Sequence, residues 1–151
     1  GNITGRGIAV VTSKAASTSR NTTTTLADDP DLAGMSLLAN TNYRIVIDID
    51  FIGGVAGMGY KFQVNYTGTQ TGTGVGSLSG GGLLVGTNNL TINTPYTNAN
   101  APTGTSISLT LSFGIRTNTA GTLSFQWAQN TSNGNNLTFN AGCQMSVIKC
   151  S

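Results

Sequence analysis

The chain reads as an all-β protein, an antiparallel jelly-roll-like β-sandwich of roughly nine or ten short strands. Three observations predict this. Apolar and polar residues alternate at period two through four long segments, the mark of strands with one face on a core. Turn signals built from Gly, Asn, Asp and Pro separate the segments at short intervals. No stretch carries a helical apolar period, while the β-branched residues that fit a pleated surface are plentiful.

In chain order, residues 1–7, "GNITGRG", form a short N-terminal arm carrying Arg6, and residues 8–151 form a single β-sandwich domain. Weaker strands are expected at Ile8–Thr12 and Thr22–Leu26. "DDPD" at Asp28–Asp31 turns the chain before a strand at Met35–Ala39, and "ANTN" at Ala39–Asn42 turns it again. "YRIVIDIDF" sets Tyr43, Ile45, Ile47, Ile49 and Phe51 on one face and Arg44, Val46, Asp48 and Asp50 on the other. After Gly53 and Gly54, "KFQVNY" sets Phe62, Val64 and Tyr66 against Lys61, Gln63 and Asn65.

Residues Gly68–Gly86, "GTQTGTGVGSLSGGGLLVG", read either as a long mobile loop or as a loop ordered only against a neighbouring subunit. A phosphate-binding loop is not expected there, because it needs "GxxxxGK(S/T)" and a following helix and the stretch has no lysine. Short strands are expected at Leu83–Val85 and Leu90–Asn93. "SISLTLSFGIR" then alternates Ile107, Leu109, Leu111, Phe113 and Ile115 with small polar residues. "TLSFQWAQ" puts Leu123, Phe125 and Trp127 on one face. The turn "SNGNN" at Ser132–Asn136 leads to final strands at Leu137–Asn140 and Cys143–Lys149.

Composition excludes several functions. Of 151 residues, 24 are Thr, 21 Gly, 16 Asn and 13 Ser, while charged residues make up 8% and there is no His or Glu. Without histidine the usual neutral-pH base and the commonest transition-metal ligand are missing. A net charge of +2, scattered along the chain, is too small for a nucleic-acid groove. No run approaches the roughly 20 apolar residues of a membrane span. We therefore expect no enzyme activity, no cofactor, no nucleic acid and no membrane among its partners.

Individual residues carry little chemistry. Asp48 and Asp50 share a strand face, at a spacing that suits either an inverting glycosidase pair or a solvated face paired with Arg44. Asp28, Asp29 and Asp31 offer oxygen ligands for calcium, or simple turn chemistry around Pro30. Trp127 fits a core position or a sugar-stacking platform, and Tyr60, Tyr66 and Tyr96 border loops where a glycan could bind. Cys143 and Cys150 flank one strand too far apart to bridge, so both are expected as free thiols. Sequons at Asn2, Asn21, Asn65, Asn89, Asn130 and Asn136 follow from a composition so rich in Asn, Ser and Thr. The expected catalytic, cofactor-binding and metal-binding sets are all none.

One motif is specific. "TLSFQWAQNTSNGNNLTFNAG", with the upstream "TLADDPDLAGMSLLANTNYRIVIDIDF" and the central "YKFQVNY", resembles a family of tailed-phage virion structural proteins, also found as modules at the ends of tail fibres. Asp28, Asp29, Asp31, Leu32, Ala39, Asn40, Tyr43 and Arg44 match the family's early pattern. Trp127, Ala128, Gln129, Asn130, Thr131, Ser132, Ala141 and Gly142 match its closing hairpin. The likeness covers most of residues 20–150. It departs at Cys143, where the family has Ser, and at Gly68–Gly86, which does not align.

The resemblance implies a jelly-roll homotrimer on the virion and brings no catalytic residue with it. The expected role is a capsid decoration (cement) protein that binds the major capsid protein on the outer shell. The alternative is a tail-fibre or receptor-binding head that recognises a host-surface glycan. A strand pattern starting at Ile8, with no shaft ahead of it, favours decoration. Release of Gly1 from a longer polypeptide would favour the fibre.

Overall fold

The computed structural model describes residues 7, 9–71, 75–81, 89–99 and 103–151. Among them lie fourteen strands: β1 (Ala9–Ser13), β2 (Thr18–Arg20), β3 (Ala27–Asp28), β4 (Met35–Leu37), β5 (Asn42–Gly53), β6 (Tyr60–Tyr66), β7 (Gln70–Thr71), β8 (Val75–Gly81), β9 (Asn89–Thr91), β10 (Tyr96–Asn98), β11 (Ser106–Thr117), β12 (Gly121–Gln129), β13 (Leu137–Phe139) and β14 (Gln144–Lys149). The expected arm at residues 1–6, Ile8 and the expected strand Leu83–Val85 lie outside the described residues.

The strands form two antiparallel sheets. One has nine strands, in the order β1-β14-β5-β11-β8-β9, with β13 and β2 continuing beside β5 and β7 meeting the end of β11. The other has five, in the order β10-β6-β12-β3, with β4 also on β12. Followed inward from both ends of the chain, the ladders are nested. β1 pairs with β14, β3 and β4 with β12, β5 with β11, and β6 with β10.

Alternation builds the core. Inward positions of β5 and β11 supply Ile45, Ile47, Ile49, Phe51, Ile107, Leu109, Leu111 and Phe113, all buried, and β6 and β12 face them with Phe62, Val64, Phe125 and Trp127. Aromatic rings knit the two sheets together. Phe51 lies 5.3 Å from Tyr60 and 5.6 Å from Trp127, and Phe139 lies 5.3 Å from Phe125. Such pairs add about 0.5–1.5 kcal/mol each beyond their buried area. The protein is thus an all-β sandwich, as the sequence predicts, but with more strands than expected.

Two expectations fail here. Thr22–Leu26 is not a strand: Thr22 has φ of 52° and the segment bends between β2 and β3. Its threonines favour extended backbone, but among the described residues no strand pairs with them. The glycine-rich Gly68–Gly86 is not a loop throughout. β7 and β8 fall inside it, with β8 paired along β11 from Ser108↔Gly81 to Phe113↔Gly76. Glycine lowers strand propensity, yet a ladder against a long, regular neighbour outweighs it.

Candidate functional site

Three places hold the residues with any chemistry. The first is the outer face of the nine-stranded sheet. Because partners in register share a face, Val46 on β5 lies between Ser146 of β14 and Ser112 of β11. In the next row Asp48 lies between Gln144 and Thr110, and Asp50 stands opposite Ser108. The result is a broad face rich in hydroxyls that also carries Arg44, Asp48, Asp50 and Arg116. At its edge Val11 of β1 is 50% exposed, the most exposed large apolar side chain described.

Asp48 and Asp50 line a shallow cleft of about 420 Å³ with Ser108, Thr110 and the Ala141–Cys143 turn. Each carboxylate already has partners. Thr110 Oγ1 donates to Asp48 at 2.7 Å, and Ser108 Oγ and Asn140 Nδ2 donate to Asp50 at 3.3 and 3.1 Å. Arg44 sits on the same face, four residues along β5 from Asp48. Cys143, at the cleft wall, is buried, and loss of hydration pushes its thiol up to about 11. Cys150 is exposed, and both cysteines are free.

The second place is the interior between β1, β3 and β12. Lys14 Nζ lies 2.8 Å from Asp29 Oδ2, with neither side chain exposed, and 3.7 Å from Asp31 Oδ2. Trp127 Nε1 also donates to Asp29 Oδ2, at 3.1 Å, and the Asp31 amide donates to Asp29 Oδ1 at the same distance. The ammonium sits 5.1 Å from the centre of the Phe139 ring. Arg20 of β2 works beside it. Its guanidinium lies 4.2 Å from the centre of the Trp127 ring and donates to the carbonyls of Ala27, Asp28 and Trp127. Burial lowers the Arg20 pKa, against the opposing pull of Asp29 and Asp28.

These contacts decide several sequence expectations. Asp29 is occupied by a lysine rather than open to calcium, and Asp28 accepts from Gln126 Nε2 at 2.8 Å. Among the described residues no group of three or more Asp or Cys side chains could hold a metal. Trp127 is fully buried, which removes it as a sugar platform. Tyr60 and Tyr66 are buried too. Asn98 Nδ2 donates to the Tyr60 hydroxyl at 3.2 Å, and the Tyr66 hydroxyl donates to the Thr119 carbonyl at 2.5 Å. Of the candidate tyrosines only Tyr96 keeps appreciable exposure.

The third place is the hairpin after β12, which holds the "WAQNTS" motif. Gln129 is fully buried and organises it: Nε2 donates to Asn135 O at 2.7 Å, and Oε1 accepts from Asn133 N at 3.0 Å. Sequence reasoning missed Lys14 and Arg20, and named Gln129 only as a matching position of the closing hairpin, without a role. The available signal was scarcity, since a chain with so few charges rarely places one without a structural partner.

The architecture defines the class as a two-sheet antiparallel β-sandwich. No protein-family model matches the chain, and no curated protein matches it in sequence. A solved structure of infectious bursal disease virus, Gt strain, aligns with 12% identity and a TM-score of 0.27. It covers 95% of this chain, which spans only 41% of that chain's length. So loose a likeness carries no inference about function.

Proposed function

We propose that the protein is a non-enzymatic virion structural protein of a tailed phage, a capsid decoration protein acting as a homotrimer on the major capsid protein. The observation that carries this reading is the outer face of the nine-stranded sheet, which is broad and hydroxyl-rich, with Arg44, Asp48, Asp50 and Arg116 set among the hydroxyls. Such a face suits many modest hydrogen bonds to a repeated neighbour, each about 0.5–1.5 kcal/mol net, with avidity from repetition. The nested ladders support the jelly-roll winding that the resemblance implies, a long hairpin rolled into two sheets.

Separating virions into heads and tails and counting this chain by mass spectrometry tests the reading. Hundreds of copies on heads fit a decoration protein, and absence from heads defeats it. The polar cleft at Asp48 and Asp50 favours a second reading, a tail-fibre head that binds glycan. That reading expects a few copies on tails and glycan binding that is lost in Asp50→Ala.

A further inference from the structure

We propose that Lys14 and Asp29 condense into an internal amide (isopeptide) bond, with Asp31 carrying the proton. The proposal rests on how the three groups are placed. Lys14 Nζ is 2.8 Å from Asp29 Oδ2, an atom one bond from the carbon it would attack. Both side chains are wholly buried, so the reactants are held together without water between them, which removes most of the entropic barrier to a bimolecular step. The reacting forms are the neutral amine and the carboxylic acid, which one proton passing from ammonium to carboxylate within the pair supplies.

The surroundings fit the reaction. Trp127 Nε1–H and Thr18 Oγ1–H point at Asp29 Oδ2, at 3.1 and 3.4 Å, and the Asp31 amide points at Oδ1. These donors polarise the carboxyl group and would hold the negative charge that builds on oxygen as the carbon becomes tetrahedral. Asp31 Oδ2 stands 3.7 Å from the same nitrogen, and the Ala15 amide donates to it at 3.3 Å. Its side chain is 31% exposed, which gives the departing water a way out.

The step balances without an oxidant or co-reactant. The Nζ–Cγ bond forms and a Cγ–O bond breaks. Asp31 takes a proton from the attacking nitrogen and returns it to the leaving hydroxyl, so that it ends as it began. Ammonium plus carboxylate become amide plus one water. The Phe139 and Trp127 rings keep bulk water from the product. Lys14 follows β1 in one sheet and Asp29 follows β3 in the other, so the bond would staple the two sheets covalently.

Intact mass spectrometry of the folded full chain is the test. The expected mass is one water below that of the sequence, with a branched peptide joining residues 14 and 29 after proteolysis. A folded protein that keeps its full mass after prolonged incubation at neutral pH overturns the proposal. Lys14→Arg, which keeps a cation for Asp29, should retain full mass; loss of water there would place the reaction elsewhere and overturn it too. Asp31→Asn should fold, as judged by Trp127 fluorescence, but condense at least tenfold more slowly. Condensation at the unmutated rate would remove Asp31 from the mechanism.

Discussion

Gln129 and Gln126 are the same residue type on the same strand, three positions apart, and the structure gives them very different weights. Gln129→Ala removes hydrogen bonds of 2.7 and 3.0 Å to the backbone of the closing hairpin, and weaker contacts to Arg20 O and Met58 Sδ. At about 1 kcal/mol for each short bond, the polar loss is about 2 kcal/mol. The space left by a fully buried side chain adds about 1–2 kcal/mol, for a total of about 3–4 kcal/mol. Gln126→Ala gives up one bond, to the exposed Asp28, and should cost about 0.5 kcal/mol. Urea unfolding followed by fluorescence of Trp127, the sole tryptophan, reads both variants. With a slope of about 2 kcal/mol per molar, Gln129→Ala should lower the midpoint by about 1.5–2 M and Gln126→Ala by a few tenths. Midpoints within about 0.3 M of each other would refute the claim that Gln129 holds the hairpin together.

Four further outcomes follow from particular residues. Gly59 has φ of 64°, and a Cβ there would lie 2.3 Å from Asn98 O, so Gly59→Ala should cost about 3 kcal/mol or abolish soluble expression. Gly134→Ala, with nothing near its Cβ, should leave the melting temperature unchanged or raise it slightly. A thiol reagent at mildly alkaline pH should label Cys150 at once and Cys143 only on unfolding, because Cys143 is buried and its thiol is pushed up to about 11. Two labels on the native protein would contradict that environment. Burial raises Tyr60 to about 12, so the neutral phenol's contribution is complete below the ordinary value near 10 and is lost as pH climbs to about 12. Stability measured across that window should fall, with tyrosinate absorbance rising late, and Tyr60→Phe should flatten the fall.

How much of this was legible in the sequence depends on where each signal lives. β5, β6, β11 and β12 were readable almost to their ends, because alternation over seven to twelve residues is a local pattern that only one sheet face can satisfy. β2, β3 and β7 are two or three residues long and exist because a partner strand is there, so no local pattern announces them. β8 was obscured by its glycines. The Asp28–Asp31 turn was visible, but the lysine that fills it is 15 residues away and arrives only when β1 and β3 are brought together. Trp127 and Tyr66 were correctly placed on apolar faces by parity. The alternative of ligand contacts falls away because both polar tips find partners inside the fold.

The nesting of the ladders also sets when the protein can fold. As the chain leaves the ribosome, β1, β3 with β4, and β5 emerge long before the strands that pair with them, which come after the midpoint in reverse order. β6 with β10 is the earliest of the nested pairs to become complete, and β1 with β14 is the last. The first half therefore waits with unpaired strand edges, and little of the sheet can be secured during synthesis. Long-range closure of this kind is slow, and exposed edges invite association with other nascent chains. Yield in the cell should thus depend on translation speed and on chaperone supply more than the size of the finished core would suggest.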